Sequence, residues 1–370
     1  MILLHGKFGR LLMINFDFWN KKKVFITGHT GFKGSWLSIL LNSLGSEVFG
    51  YALKPNTKPN LYYEAKVNKI AESVYGDIND LENLSSSLTE IKPDIVLHLA
   101  AQPLVRESYN DPITTYKTNA IGTVNILESV RSSPSVRAFL NITTDKCYEN
   151  KEWVWGYREN DPLGGHDPYS ASKACSELIT SSYAKSFFNN DSAPGIATAR
   201  AGNVIGGGDW SNDRLIPDIF KSYEKNKPLI IRNPKSTRPW QHVLEPIYGY
   251  MLLIENLWNN KNKFSGSYNF GPFSEGEKDV LFIVKNLYEQ LGMKDSWIID
   301  ENIKNPHEAN YLKLDISKAM ALLNWVPKLS IEESLTRTVE WYINWKSNKD
   351  AHDLCLQEID KFLKGDTNNG

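Results

Sequence analysis

The sequence contains few cysteines and no long apolar run, and both absences restrict the class of protein. Its 370 residues include only three cysteines, Cys147, Cys175 and Cys355, and none forms a CxxC pair. This scarcity argues against a disulfide framework, and without clustered histidines or cysteines we predict no metal site. A reducing cytoplasm is the compartment expected for such a chain.

Charge of one sign is not in excess either. The formal net charge is −1, which does not favour nucleic acid or an anionic membrane as a partner. No apolar run reaches the roughly 20 residues that a membrane-spanning helix needs. Residues 1–12 form an apolar stretch broken by Lys7 and Arg10, a poor secretory signal. We expect a soluble enzyme that binds small molecules, with residues 1–20 as an N-terminal extension.

Short apolar runs alternate with helical patterns in the first half. Strands are predicted at 24–27, 47–53, 95–99 and 138–142, and helices at 35–44, 118–130 and 171–187. This alternation indicates an α/β fold, a Rossmann-type doubly wound parallel sheet over residues 21–200. Prolines interrupt the pattern after residue 200, where helices are predicted at 283–291 and 331–345. We predict a smaller mixed α/β substrate-binding domain at 201–350, with some segments returning to the first domain, and a tail at 351–370.

A glycine-rich turn follows the first strand and opens the first helix. Gly28, Gly31 and Gly34 give the spacing GxxGxxG, which lets the backbone approach a dinucleotide pyrophosphate at the helix N-terminus. The second strand ends without the acid that usually holds the adenosine ribose. Lys54 stands there instead, as a surface lysine or a ligand of a 2′-phosphate. The cofactor contacts predicted around this turn also include His29, Phe32, Asp77, Ile78, Leu99, Ala100 and Ala101.

A second group of residues is typical of proton transfer beside such a cofactor. Tyr169 and Lys173 lie four residues apart, on one face of a predicted helix. A neighbouring ammonium lowers a tyrosine pKa, so we expect Tyr169 to act as a base and Lys173 to contact the nicotinamide ribose. Thr144 follows a buried strand and is placed to hydrogen-bond the oxygen that Tyr169 deprotonates. Asp145 and Lys146 add two titratable groups that simple alcohol oxidation does not need.

These features together resemble the extended short-chain dehydrogenase/reductases over about residues 21–345. Three segments are similar to the CDP-glucose 4,6-dehydratases within the nucleotide-sugar dehydratase branch: GHTGFKGSW at 28–36, RAGNVIGGGDW at 200–210 and TRPWQHVLEP at 237–246. The resemblance implies NAD as cofactor, CDP-glucose as substrate and a 4-keto-6-deoxy sugar for surface polysaccharide as product. It also implies a homo-oligomer, dimer or tetramer.

The resemblance assigns roles to individual residues. Tyr169 takes the O4 proton while a hydride leaves C4, and Asp145 protonates the departing C6 hydroxyl. Lys146 removes the C5 proton, although dTDP-glucose dehydratases carry Asp-Glu where this chain has Asp-Lys, which leaves that step open. The substrate contacts implied are Gln102 on the hexose, Asn203 on the sugar phosphate, Arg214 and Arg238 on the diphosphate, Leu215 and Ile216 at the base, and His307 near the nucleotide.

Other functions remain compatible with the sequence. A dTDP- or GDP-sugar dehydratase, a nucleotide-sugar 4-epimerase or a decarboxylase would use the same tyrosine and cofactor. A non-catalytic NAD(H) sensor is a fourth alternative, but such a protein has no need of the Tyr169–Lys173 pair. The nucleotide base follows from the resemblance alone.

Overall fold

The computed structural model describes residues 14–294, 297–299 and 311–365. Its strands, in chain order, are β1 Lys23–Thr27, β2 Glu47–Ala52, β3 Ala71–Tyr75, β4 Ile95–His98, β5 Ala138–Ile142, β6 Gly195–Ala201, β7 Val204–Ile205, β8 Leu229–Ile231, β9 Thr237–Pro239, β10 Gln241–His242, β11 Gly266–Phe270, β12 Glu277–Asp279 and β13 Trp297–Ile299. Its α-helices are α1 Phe16–Trp19, α2 Phe32–Ser43, α3 Leu61–Glu64, α4 Val67–Ile70, α5 Leu81–Ile91, α6 Val105–Asn110, α7 Pro112–Tyr116, α8 Gly122–Arg131, α9 Pro168–Phe187, α10 Leu215–Lys225, α11 Leu244–Asn259, α12 Lys261–Phe264, α13 Val280–Gln290, α14 Ser317–Leu323, α15 Ile331–Lys346 and α16 Ala351–Lys364.

A seven-stranded parallel sheet forms the centre, in the order β11-β6-β5-β4-β1-β2-β3. Every residue of β4, β5 and β6 is buried, as expected for parallel strands covered by helices on both faces. The chain leaves β1 towards β2 on one side and returns at β4 on the other. This reversal opens a crevice at the carboxyl ends of the strands, the usual ligand position in such sheets.

The sequence-based prediction of a Rossmann-type α/β fold is confirmed. The predicted strands of the first half all form, with ends that differ by a residue or less. Helix α9 begins earlier than predicted, at Pro168, because Asp167 caps it by accepting a hydrogen bond from the Ser170 backbone N–H and proline fits the first helical position. The helix predicted at 118–130 begins as a π-helical turn, Lys117–Ile121, before α8.

Part of the second half completes this sheet. Strand β11 pairs with β6 along five residues, from Gly266 opposite Ala197 to Phe270 opposite Ala201. Helix α11, almost entirely buried, packs on β5 and β6. Helices α10, α13 and α15 form a separate apolar core, with members such as Ile219, Leu287 and Leu335.

Both ends of the described chain pack on the central body. In α1, Trp19 is fully buried and donates its indole N–H to Glu255 Oε1 at 2.6 Å. Helix α16, which the sequence analysis placed in a tail, packs on α2, and its apolar residues Leu354 and Phe362 are buried. Its regular spacing of apolar residues gives it a buried side, so residues 351–364 belong to the folded body.

Candidate active site

A cavity of about 760 Å³ lies at the carboxyl ends of the central strands. Its walls come from the loops after β1, β4 and β5 on one side and from residues 201–240 on the other. A volume of this size matches that of sites for drug-sized ligands and cofactors. Most of the residues that the sequence analysis selected meet here.

The glycine turn forms one end of the cavity, and an added side chain would meet different surroundings at each of its three glycines. Gly28 has φ +78, and a side-chain carbon there would lie 2.7 Å from the Ala100 nitrogen. A carbon added at Gly34 would lie 2.3 Å from the Gly28 oxygen. Gly31 is different, because an added carbon would meet only the Gly28 oxygen, at 3.4 Å, and would fill the cavity side of the turn. The turn is therefore shaped for close approach of a ligand.

The helix that follows the turn supports the same reading. Helix α2 has twelve residues, begins after Gly31 and has no side-chain cap at its N-terminus. Its first N–H groups therefore lie at the cavity end of the helix dipole, an arrangement that favours a phosphate anion. Among the other predicted cofactor contacts, Phe32, Asp77, Ile78, Leu99, Ala100 and Ala101 all line the cavity.

Two predicted contacts do not line the cavity. The His29 side chain is fully buried beside the sheet, where Nε2 lies 2.9 Å from Ser73 Oγ and burial lowers its pKa to about 4. Gln102 uses its amide to hold its own loop, with Nε2 donating to Thr115 Oγ1 at 2.8 Å and Oε1 accepting from the Leu104 N–H at 2.6 Å. Both side chains have structural partners, so the sequence-based roles in ligand contact are not supported at these two positions. His307 lies outside the described residues.

Thr144, Asp145 and Tyr169 lie together in one wall of the cavity. Thr144 ends the loop after β5 and caps a short 3₁₀ turn, Asp145–Cys147, by accepting the Lys146 N–H at 3.3 Å. Its hydroxyl donates to Asp145 Oδ1 at 3.0 Å, and Thr144 lies close enough to Tyr169 to lower the pKa of the phenol. Lys146 lines the same cavity. Thr144 thus lies beside both acids of this wall.

The pKa of Tyr169 differs from the sequence-based expectation. Burial raises it to about 12, and the charges of Asp145 and Asp167 act in the same direction. The Thr144 hydrogen bond and the Arg214 charge lower it, but burial outweighs them. Lys173 does not supply the expected stabilisation, since its ammonium donates to the Ile142 carbonyl at 3.2 Å. The prediction of a lowered Tyr169 pKa was wrong, because a helical spacing does not reveal how deeply the phenol is buried.

Asp145 has the property that an acid catalyst needs. Its side chain is only 1% exposed, and this burial raises its pKa against the opposing effects of Lys146, Thr144 and Arg238. Oδ2 is buried and has no hydrogen-bond partner among the residues that the structure describes. A carbon added at Gly202 would lie 2.9 Å from this oxygen, so that side of the carboxyl is closely enclosed. A carboxyl in such surroundings holds its proton to higher pH than usual.

A buried ion pair between Glu177 and Arg200 holds helix α9 on the side away from the cavity. Glu177, two turns after Tyr169 on α9, accepts from Arg200 NH2 at 2.8 Å and from Thr198 Oγ1 at 2.8 Å, and also from Thr143. The Glu177 charge raises the pKa of Lys173, but burial is the larger effect and lowers it to about 8. The pair therefore joins α9 to the ends of β5 and β6. Thr144 and Asp145 follow β5 in the chain.

Lys33 is a cavity residue that the sequence analysis missed. It lies inside the glycine turn, lines the cavity and donates from Nζ to the Tyr250 hydroxyl at 3.2 Å. Burial lowers its pKa to about 7, and the charges of Arg214 and Lys173 add to this while Asp145 opposes it. A lysine between two motif glycines was the available signal, but the motif directed attention to the backbone.

The far wall carries the residues implied for the substrate. Arg214 NH1 lies 3.4 Å from Asp209 Oδ2, and about a third of its side chain remains exposed to the cavity region. Arg238 is buried and donates from NH1 to the Thr237 carbonyl at 3.0 Å. The cavity-lining residues on this wall include Asn203, Arg214, Leu215, Ile216, Arg232 and Arg238. This side thus combines positive charge with apolar surface.

Within residues 14–294, 297–299 and 311–365, no helix has both the length and the apolar content needed to span a bilayer. Across the same residues, no three His, Cys, Asp or Glu side chains are grouped so as to hold a metal ion.

Comparison with known proteins gives a consistent result. The family model described as GDP-mannose 4,6-dehydratase matches residues 25–338. A curated CDP-glucose 4,6-dehydratase from Salmonella typhimurium is 52% identical over 360 residues, covering 96% of this chain and all of that protein. A dTDP-glucose 4,6-dehydratase from Xanthomonas campestris is 28% identical over 339 residues, covering 86% of this chain and 92% of that protein.

Solved structures share the fold. An epimerase from Methanothermobacter thermautotrophicus superposes with a TM-score of 0.75 at 25% identity, covering 90% of this chain and 95% of that one. A dTDP-glucose 4,6-dehydratase from Streptomyces venezuelae, solved with NAD, has a TM-score of 0.75 at 23% identity over 88% of this chain and 98% of its own. At this level of identity the second likeness speaks for the fold alone.

Proposed function

The chain belongs to the GDP-mannose 4,6-dehydratase family, and from this we propose that it converts CDP-D-glucose to CDP-4-dehydro-6-deoxy-D-glucose. The observation that carries the proposal is the meeting of Thr144, Asp145, Lys146 and Tyr169 on one cavity wall. An epimerase at C4 needs the tyrosine, whereas removal of water also needs an acid at O6 and a base at C5. The choice of CDP-glucose rests on the relative that is 52% identical.

The residues of the glycine turn fit NAD. The open side of Gly31, the uncapped start of α2 and the cavity lining at Asp77 and Ile78 suit a pyrophosphate followed by an adenosine. Lys173, which lines the same cavity, would hold the nicotinamide ribose. NAD, when bound, supplies a hydride acceptor for C4 that returns the hydride to C6, and a positive charge on its nicotinamide ring. No external oxidant is therefore consumed.

The protein residues manage the protons. Tyr169 accepts the O4 proton, and because its pKa is raised to about 12, this step needs positive charge close to the phenol. Asp145, with its raised pKa, gives a proton to the C6 hydroxyl, which leaves as water. Lys146 removes the C5 proton and returns one to C5 after reduction at C6.

The substrate lies across the other wall in this proposal. Arg214 and Arg238 hold the diphosphate, since planar guanidinium groups pair well with phosphate oxygens. Asn203 contacts the sugar phosphate, and Leu215 and Ile216 line the base pocket. The hexose then projects towards Tyr169 between the two walls.

Two further expectations concern the protein in the cell. We propose that it works in the cytoplasm, where its three unpaired cysteines would stay reduced. We also propose a homo-oligomer formed through helices of the first half. Ile113, Ile121 and Leu178 support this, because they are 68%, 52% and 58% exposed on neighbouring elements. Light scattering at several protein concentrations would measure the state.

The function is tested by incubation with CDP-glucose that carries deuterium at C4, with added NAD. We expect a product lighter by one water that carries the label at C6. An unchanged mass with inverted configuration at C4 would instead indicate an epimerase. Turnover of dTDP-, UDP- or GDP-glucose but not of CDP-glucose would show that the substrate carries another nucleotide base.

A matched variant examines the acid. Asp145→Asn is expected to oxidise C4 but to slow loss of water by about 10²–10⁴-fold, because the amide cannot protonate O6. Asp145→Glu retains a carboxyl and serves as control. An unchanged rate of dehydration in Asp145→Asn would contradict the role of Asp145.

A further inference from the structure

The base end of the cavity can be located from the arginines along its far wall. Arg238 lies close enough to Asp145, and Arg214 close enough to Tyr169, for each arginine to lower the pKa of its acid. In the proposed function, on which this inference rests, these two arginines hold the diphosphate and the hexose points to the acids. The nucleoside then extends away from the acids, and Arg232 is a further arginine of this wall.

The wall around Arg232 has the apolar surface that a nucleobase needs. Leu215, Ile216 and Ile231 line the cavity with it. Ile216 and Ile231 are 5% and 2% exposed and belong to the apolar core of α10, α13 and α15, and Leu215 packs against the same core. This surface is therefore fixed from behind, and a flat ring can lie against it with its polar edge towards Arg232.

Asp213 forms an ion pair with Arg232 at this position. Arg232 NH2 donates to Asp213 Oδ1 at 3.2 Å, and Arg106 NH1, from the opposite wall, lies 3.9 Å from the same oxygen. Oδ2 makes no hydrogen bond to any residue that the structure describes. The side chains of Asp213 and Arg232 are 42% and 30% exposed, so both are accessible from the cavity and their pairing contributes little to folding.

The pair presents a hydrogen-bond acceptor next to donors. The free Asp213 oxygen only accepts, and the remaining N–H groups of the Arg232 guanidinium only donate. Cytosine has the matching edge, with an N4 amine that donates, followed by N3 and O2, which accept. Uracil and thymine carry O4 in place of the amine and a proton on N3. Their edge would therefore face the carboxylate with an acceptor and the guanidinium with a donor.

We propose that Asp213 and Arg232 are the residues that recognise the cytosine of the substrate. Asp213 Oδ2 accepts a hydrogen bond from the N4 amine, and Arg232 donates to N3 and O2. The face of the base lies against Leu215 and Ile216. Because these contacts do not change while the sugar reacts, they bind the substrate and the transition state equally, and their loss raises KM and leaves kcat largely unchanged.

Selection against uracil follows from the mismatch at this edge. With uracil bound, the carboxylate would face O4 and the guanidinium would face the N3 proton, so each group would lose its water without gaining a partner. A site built to hydrogen-bond a polar edge rejects an analogue that cannot return those bonds. A paired contact of this kind with a base discriminates by about 10–100-fold in affinity.

The test measures the binding of CDP and UDP by titration calorimetry, since the two nucleotides differ only at this edge of the base. We expect the unaltered protein to bind CDP about 10–100 times more tightly than UDP. Asp213→Asn should lose most of this preference, because the amide nitrogen can donate to O4 of uracil while the amide oxygen still accepts from Arg232. Asparagine also suits the left-handed backbone at this position, where φ is 55.

Turnover gives a second measurement. With NAD and CDP-glucose, Asp213→Asn should raise KM by about tenfold or more and change kcat by less than about twofold. Arg232→Met should weaken the binding of both nucleotides, because O2 is an acceptor in cytosine and in uracil. Unchanged binding of CDP by Arg232→Met would contradict its part in the recognition.

Asp218→Asn is the matched control. Asp218 lines the same wall, but its Oδ1 accepts from Lys221 Nζ at 3.4 Å, so the preference for CDP should be unchanged. An unchanged preference in Asp213→Asn, or an equal loss in Asp218→Asn, would overturn the assignment. The proposed function fails separately, if the unaltered protein does not dehydrate CDP-glucose. A preference for CDP over UDP that depends on Asp213 would then still establish the recognition of cytosine.

Discussion

Single residues in this site owe their properties to burial more than to spacing. The Tyr169–Lys173 pair is visible in the sequence, and the structure places both residues in the cavity wall. The direction of the Tyr169 pKa shift was not predictable, because it is set by packing that brings distant segments over the phenol. Asp145 shows the opposite case, since the need for a raised pKa followed from the chemistry and the structure shows it.

Lys33 provides a prediction at this scale. Its pKa is lowered to about 7 by burial, so between about pH 7 and its unfolded value near 10.5 the unfolded chain binds more protons than the folded one. Stability then rises with pH across that window. Lys33→Met should therefore gain stability relative to the unaltered protein as the pH falls from about 10 to about 7. Urea unfolding at both pH values measures the difference.

The exposed Lys225→Met serves as the control for Lys33, since it should show no such dependence. A stability difference for Lys33→Met that stays constant between the two pH values would mean that the amine is charged alike in both states.

Among the elements, those of the first half were the most predictable. Continuous apolar runs such as β5 are buried on both faces, and this burial leaves a clear pattern in the sequence. Strand β11 was missed because five residues, Gly266–Phe270, carry little periodicity and their register is set by β6, some 70 residues earlier. Helix α11 was missed for a related reason, since it is apolar on nearly every side and has no polar face to reveal its period.

The packing of helix α16, which the sequence analysis assigned to a tail, can be tested by mutation. Phe362 is 2% exposed and its ring lies 6.0 Å from that of Tyr248. Phe362→Ala should lower the free energy of unfolding by about 3–5 kcal/mol, the usual cost of removing a buried aromatic side chain. Chemical denaturation measures this, with Gln357→Ala on the exposed side of the same helix expected to change it by less than about 0.5 kcal/mol. Equal unfolding midpoints for both variants would show that the helix is not packed as described.

At the scale of the whole molecule, the cavity brings together loops of the sheet and residues 201–240. A ligand that contacts both walls stabilises only the folded chain. The gain is about 2.7 kcal/mol when the free ligand concentration is a hundred times the dissociation constant. We expect CDP to raise the melting temperature by several degrees and CMP to raise it less at equal concentration, because CMP lacks the second phosphate that Arg214 is proposed to hold. Thermal melting with each nucleotide measures both shifts.

Arg214→Met should reduce the advantage of CDP over CMP and leave the response to CMP largely intact. The proposed diphosphate contact would be contradicted if the advantage of CDP were the same in the variant and in the unaltered protein.

The pairing of β11 with β6 has a consequence for recombining this enzyme with its relatives. A chimera cut near residue 200 would separate two strands that share a five-residue ladder, and a lone first half would present β6 as an open edge on which other chains can add. Exchange of the segment between β6 and α11, which holds β7–β10 and α10, would leave that ladder whole. Variants with altered sugar or base preference are therefore best sought by transplanting this segment. Strands β6 and β11 should then come from the same parent protein, so that their pairing is kept.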